Sequence, residues 1–469
     1  MFKIASRGST AGREVLGGVT IFMSMSYILF VQPAVLSTTG MDAGGVFMAT
    51  CLASAAACML MGLLANYPIA LAPGMGENFF FAITLCGVGA AAGGFKLTWQ
   101  EALALTAVTG VAFLLLASVG FRSKILNAIP DSLKSGIAAG IGLFIALIGF
   151  EWGNIVHADP VTGLSLAPAT GNYVAMLTLG GLALTFALAA WRVRGAILIS
   201  ILATTLATWA VGAIWGVPSV QWHGVVALPS GLGATAGGAF TGFASLWGKF
   251  AGGHGIDILV FAFILLFMDL FDTVGTLVGV ARRAGLMRDG ELPAAERALS
   301  ADAAGTVLGA LAGTSTVTSY IESVTGVQAG ARTGLAAIVA GACMLVAMFF
   351  QPLVEMVGGG VVVGQYARGD PILRYPMIAP ALIVVGALMI RAIRDVDWDD
   401  VTEALPAFLT MVTMPFAYSI SRGIAIGFIS YAGGKLVTGR GKQCPAIVYV
   451  FAVLFVLQYL LEPIVAWLR

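Results

Sequence analysis

Two carboxylates stand three residues apart inside an apolar run, FAFILLFMDLFDTVGTLVGV (261–280), at Asp269 and Asp272. The run is long enough to cross a bilayer. A carboxylate at the centre of a membrane helix costs roughly 2.5–3.5 kcal/mol, and intramembrane acids mark paths for polar substrates or protons. The spacing i, i+3, i+7 puts Asp269, Asp272 and Thr276 on one helical face. One polar seam then points into the protein while Leu, Phe, Val and Gly cover the rest. The competing structural reading neutralises the acids by protonation or by a buried arginine.

Two further stretches supply polar groups. NYPIALAPGMGENFFF (66–81) holds Pro68, Pro73, Gly74 and Gly76 within nine residues, so it cannot be one continuous helix. It reads as an extended piece, a turn, and a helix starting near Met75, with Glu77 and Asn78 in its first turn. ALAGTSTVTSYIESVTG (310–326) is rich in small and β-branched residues and reads as extended backbone before a helix near Ser319, with Glu322 just inside it. Broken backbone at membrane depth survives only where protein buries it or where it lines a cavity. The new helix N-termini carry free N–H groups suited to an anion or polar ligand.

The elements that must position these residues follow from composition. The chain has 469 residues, 59% hydrophobic and 10% charged, where a soluble domain has about 25% charged. Apolar runs fall at about 15–38, 42–65, 68–89, 99–120, 132–152, 172–190 and 195–215, then at 256–280, 292–312, 313–330, 332–356, 371–391, 405–419 and 421–438, with a last run at 446–466. This is an all-α polytopic membrane protein. The net charge of +1 gives no nucleic-acid footprint. Cys51, Cys58, Cys86, Cys343 and Cys444 show no paired spacing and read as core thiols, while His157, His223 and His254 lie far apart in predicted loops. Neither a disulfide nor a metal site is supported.

Positive charge orients the chain. Arg7, Arg13, Arg122, Lys124, Lys134, Arg192, Arg194, Arg282, Arg283, Arg288, Arg297, Arg391 and Arg394 all fall on one side if the N-terminus is cytoplasmic, and loop 153–171, without Lys or Arg, falls outside. Lys435, Arg440 and Lys442 join the cytoplasmic side only if 405–438 is a hairpin turning near Ser419–Ser421. The run 446–466 is then an extra helix.

The segments divide as seven plus seven. LTAVTGVAFLLLA (105–117) matches LAAIVAGACMLVA (335–347) weakly. An odd number of crossings per half inverts the second half, which gives an inverted repeat with a midplane site between the halves, a common plan for secondary transporters.

At these residues the chain resembles the AzgA-like purine permeases, the adenine/guanine/hypoxanthine branch of the nucleobase–cation symporter-2 family. The matching blocks are FMSMSYILFVQP (22–33), LAPGMGENFFFA (71–82), FMDLFDTVGTLVGVARRAGL (267–286) and TSTVTSYIESVTGVQAGARTGL (314–335). The resemblance implies a fourteen-segment inverted-repeat transporter with core and gate domains. The first repeat would span 15–215 (core 15–120, gate 132–215) and the second 256–438 (core 256–356, gate 371–438). It implies that Glu322 grips ring N–H groups, that Asp269 and Asp272 supply an acidic face for binding or proton coupling, and that Asn78 completes the site. Two positions depart from the expected pattern: Gln32 stands where Asn is expected, and Glu77 where an apolar residue is common. Glu77 is either a second proton carrier or faces a loop.

A purine is flat, neutral and edged with donors and acceptors. A carboxylate accepts ring N–H bonds and an amide does both. Phe79, Phe80 and Phe81 open the segment-3 helix, so one of them can stack on the base, although core packing is the simpler role for each. Tyr320 stands evenly between the two roles, and Thr276 reads more simply as a packing hydroxyl. Arg332 reads as an interfacial anchor and DVDWDDVTE (395–403) as a solvated loop. The expected activity is import of purine nucleobases by proton symport across the inner (plasma) membrane. Asp272, Glu322 and Glu77 are the candidate proton carriers, and sodium is the rival ion. A xanthine/uracil permease and a sulfate-type anion transporter are the alternatives on the same fold. No catalytic triad, phosphate loop or cofactor signature points to an enzyme. The expected partners are the base and the lipid bilayer, and a homodimer is left open.

Overall fold

The computed structural model describes residues 2–88, 95–118, 129–159, 163–168, 171–287, 292–365 and 371–468, with side chains to residue 459 apart from that of Ser118. Arg122, Lys124 and Arg288 of the charge pattern, and the ends of runs 68–89 and 99–120, lie outside them. Among the described residues, eight helical spans are long and apolar enough to cross a membrane.

The first repeat begins with α1 (Ala11–Met25) and α2 (Ile28–Ser37), one span interrupted at Ser26–Tyr27, and continues through α3 (Ala43–Leu60). Strand β1 (Leu71–Pro73) leads into α4 (Met75–Phe79), which runs on as a wider turn over Phe80–Leu85. Then come α5 (Trp99–Ser118), α6 (Asp131–Trp152), the β2–β3 hairpin (Val156–Asp159, Gly163–Leu166), α7 (Tyr173–Ala190) and α8 (Ala196–Trp215). A short helix, α9 (Gly238–Lys249), lies in the connection between repeats and packs on α5.

The second repeat begins with α10 (Gly255–Ala284). Its 30 residues make about 45 Å of helix, longer than the roughly 30 Å hydrocarbon core. It continues with α11 (Ala295–Ala312), β4 (Val317–Ser319), the six-residue α12 (Ser323–Gln328), α13 (Gly334–Ala347) and α14 (Gln351–Gly358). A β5–β6 hairpin (Val361–Gln365, Pro371–Arg374) precedes α15 (Ala379–Met389), α16 (Val401–Phe416), α17 (Ile420–Val437) and the terminal α18 (Ala446–Leu468).

The inversion is visible in the packing. The fourth span of each repeat lies against the first two spans of the other: α5 on α10 and α11, α13 on α1 and α3. A second group of helices packs around α6, with α15, α16 and α17 on it, while α7 and α8 pair beside α15. The run 405–438 is a hairpin. Tyr418 takes φ 48° at the turn, and Ser419 caps α17. The far ends of α16 and α17 are tied by Lys435 to Glu403 (2.8 Å) and by Arg440 to Asp400 (2.7 Å), so Lys435 of α17 and Arg440 just beyond it sit beside the start of α16. The stretch 395–403 is therefore a capping loop with ion pairs rather than merely solvated: Asp400 accepts from the backbone N–H of Thr402 at 2.9 Å.

Three expectations change. The helix of the tenth segment starts at Ser323, not near Ser319, because Ser319 is held in β4 opposite Leu71. The twelfth span starts at Ala379, because Pro371 and Pro376 favour the strand and turn that precede it. The two surface hairpins, β2–β3 and β5–β6, were not expected in otherwise α-helical repeats.

Candidate substrate site

The two broken segments meet. β1 and β4 pair antiparallel, with Leu71 opposite Ser319, Ala72 opposite Thr318 and Pro73 opposite Val317. All six residues are buried. The outer edges of so short a ribbon would leave peptide groups unpaired at membrane depth, at a cost of several kcal/mol each. Side chains of neighbouring helices satisfy them. Cys58 of α3 serves Leu71 on both sides, accepting from its N–H at 3.1 Å and donating to its carbonyl at 3.3 Å. Thr306 of α11 does the same for Val317, at 3.2 and 2.9 Å. Gly313, at φ 104°, ends α11 and turns the chain toward β4; a Cβ there would lie 2.5 Å from Thr235.

Five carboxylates surround this ribbon: Glu77, Asp269, Asp272, Asp302 and Glu322. Among the described residues the ion pairs involve Glu101, Asp131, Asp257, Asp400 and Glu403, and none of these five. No described arginine neutralises them. Asp269 and Asp302 are buried behind β4. The Thr306 hydroxyl, whose proton goes to Val317, lies 3.2 Å from Asp269, and Ser319 donates to Asp302 at 3.1 Å; each acid keeps one buried oxygen without a partner. Asp272, one turn beyond Asp269, is exposed instead. The helical face thus splits: Asp269, Thr273 and Thr276 turn inward, while Asp272 and Gly275 border open space. Opposite them stand exposed Ile321 and half-buried Glu322, and a Cβ added at Gly279 would lie 3.5 Å from Ile321. Asp272 and Glu322 thus stand on two different elements, near enough to feel each other's charge and neither of them fully covered.

Glu322 sits at the N-cap of α12, before the helix rather than inside it. Its Oε1 accepts from the hydroxyl of Tyr27 at 2.8 Å. Tyr320 is buried and donates to the carbonyl of Pro73, which assigns its hydroxyl to the ribbon. Glu77 does not face a loop. It is buried against the start of its own helix, where a Cβ on Gly74 would come within 2.1 Å of its Oε2. Asn78 accepts from Ser315 through Oδ1, while its Nδ2 is buried without a partner. Gln32 donates to Ser315 and Thr314, both at 2.9 Å, so the residue that departs from the expected pattern anchors the linker that holds Asn78. Of the three phenylalanines, Phe79 meets Phe144 and Trp152 of α6 edge-on at 6.4 and 6.2 Å, whereas Phe80 packs on Phe261 of α10. Arg332 donates to the carbonyls of Val327 and Ala331 and so caps the end of α12.

Asp302, Thr273 and Tyr27 were missed from sequence. Asp302 lies within the run 292–312, and the rule that singled out Asp269 applies equally to it.

The permease family matches this chain over residues 12–426. The chain belongs to that family. It is a multi-pass membrane transporter, and the likeness to the purine branch of the family holds over its full length. The chain is 42% identical to the guanine/hypoxanthine permease PbuG of Bacillus subtilis over 468 residues, covering 98% of each. It is 39% identical to the adenine permease AdeP of Escherichia coli over 459 residues, covering 98% of this chain and 95% of the other. Among solved structures, the transmembrane domain of the cyanobacterial bicarbonate transporter BicA superposes with a TM-score of 0.59 at 13% identity, covering 89% of this chain and 97% of that one. The murine anion transporter Slc26a9 in its inward-facing state gives 0.57 at 11% identity, covering 92% and 68%. These likenesses establish the fold, a seven-plus-seven inverted repeat.

Proposed function

We propose that this permease imports purine nucleobases (adenine, guanine or hypoxanthine) by proton symport across the inner membrane, with its N-terminus in the cytoplasm. The observation that carries the reading is the pair of accessible carboxylates, Asp272 on α10 and Glu322 at the start of α12, beside the β1–β4 ribbon and without an ion pair among the described residues. A flat neutral base offers N–H donors to such a pair, whereas an anion would be repelled by it. The names of the relatives from Bacillus subtilis and Escherichia coli support the same substrate class.

In this reading Glu322 accepts from the ring, Asn78 offers its free amide N–H, and Phe79 supplies a face for stacking. Asp272, the acid that water reaches, takes up the coupling proton, and Asp269, Asp302 and Glu77 form the buried acidic reserve. Spans one to four and eight to eleven form the core, and spans five to seven and twelve to fourteen the gate. Phe79 of the core already touches Phe144 and Trp152 of the gate group, so gate motion acts directly on the base.

Uptake of labelled adenine, guanine, hypoxanthine, xanthine and uracil by cells expressing the chain, with and without a protonophore, tests the reading. Uptake of one of the first three that collapses with the proton gradient is the expected result. Sodium-dependent uptake that survives the protonophore would overturn the coupling ion, and uptake of none of the three would overturn the substrate class.

A further inference from the structure

We infer that Tyr27 is a positioning residue for Glu322, setting the direction in which that carboxylate meets its ligand. The inference rests on the purine-binding role proposed above.

Tyr27 lies in the interruption between α1 and α2 and is 2% exposed. A buried tyrosine hydroxyl needs a partner. The partner here comes from the other repeat: Glu322 Oε1, at 2.8 Å. The neighbouring phenol cannot substitute. Tyr320 stands 6.4 Å away between ring centroids and commits its hydroxyl to Pro73. Hydrogen bonds to an ionised acceptor are stronger and better directed than neutral ones. With Oε1 held by Tyr27, the carboxylate is fixed in its rotation about the last side-chain bond.

The setting gives this bond its purpose. α12 has six residues, too few to stand as an independent helix. α1 splints it. Ser24 Oγ meets Thr325 Oγ1 at 3.0 Å, and a Cβ on Gly326 would strike Ile21 at 2.4 Å. The splint fixes the backbone of the half-helix, while Tyr27 fixes the carboxylate at its N-cap. The two tasks separate by mutation.

The test is binding of labelled adenine, guanine and hypoxanthine to purified full-length protein, together with uptake kinetics. Tyr27→Phe keeps the ring and removes the hydroxyl. It is expected to weaken binding of the accepted base about tenfold or more, the scale of one charge-assisted hydrogen bond, and to raise KM while maximal uptake stays within about twofold. In a Glu322→Asp background the carboxylate is withdrawn from Tyr27, so the same change should have little further effect. Ser24→Ala removes only the splint contact and should leave affinity unchanged. Unaltered affinity in Tyr27→Phe, full additivity with Glu322→Asp, or an equal loss in Ser24→Ala would each overturn the inference while leaving the purine reading intact. A wild-type protein that binds none of the three bases would overturn both.

Discussion

The hydroxyls of Thr273 and Thr318 meet at 2.8 Å, joining the acid-bearing helix α10 to strand β4. Both residues are buried, and their contact lies between the exposed acid Asp272 and the buried acid Asp302. Thr273→Val keeps the shape and leaves the Thr318 hydroxyl with one partner fewer. A buried hydroxyl deprived of its partner costs about 1–3 kcal/mol. The variant should melt at a lower temperature in detergent and lose most of its purine uptake. An unchanged melting curve with normal uptake would remove this contact from the account.

Glu322→Gln and Asp272→Asn should fail differently. The first replaces one acceptor oxygen by a donor facing the base and is expected to abolish or sharply weaken purine binding. The second leaves Glu322 in place but removes a titrating group, so uptake should persist with a flattened pH profile. Unchanged affinity in the first, or a normal pH profile in the second, contradicts the roles assigned.

Asp302 is fully buried, with Ser319 as a donor and one oxygen free. Asp302→Asn is nearly isosteric, so folding and base binding should survive. Accumulation of substrate against a gradient should fall at least tenfold if the buried acids take part in coupling. Counterflow exchange measured beside net uptake separates the two: loss of both would point to a structural role instead.

Gly74 tests the ribbon itself. An added Cβ would lie 2.1 Å from Glu77 Oε2 and 2.7 Å from Thr318 Cγ2. Gly74→Ala should therefore displace Glu77 and eliminate binding, with overpacking on the order of 1–3 kcal/mol. Adding Glu77→Ala relieves the closer contact, and partial recovery of binding is expected. No recovery would mean that the Thr318 contact dominates.

At the end of the α16–α17 hairpin where α16 begins, hydrogen bonds from Thr402, with help from Arg440 and Lys435, hold the Asp400 carboxyl below the usual carboxylate range. A depressed acid contributes stability above its unfolded value and loses it as pH falls through its folded value. The hairpin should therefore begin to loosen only below the ordinary carboxylate range, near pH 4 or under, as read by amide exchange across 400–404. Asp400→Asn should remove the acid-dependent part of that protection, and a wild-type profile in the variant would assign it elsewhere.

Much of the architecture was legible because local rules write it. Apolar length marked the spans, and the hydrophobic runs at 132–152 and 195–215 match α6 and α8 to within a residue. Proline and glycine marked the break before Met75, and the turn near Ser419 followed from charge. The acids of 261–280 stood out because hydrocarbon penalises charge. The second break was found, but its helix was placed four residues early. Small β-branched residues signal extended backbone without fixing its end; pairing with Leu71 fixed it.

What the sequence by itself determined was the class of protein, its spans, the two interruptions and the acids worth attention, since each depends on neighbours in the chain and on the solvent around it. Only the tertiary structure decided that Asp272 faces open space while Asp269 is buried, that Tyr27 reaches Glu322 across the repeats, and that Cys58 and Thr306 complete the two edges of one ribbon. The physical reason is that exposure and hydrogen-bond partnership at membrane depth are set by segments far apart in the chain, which no local periodicity records.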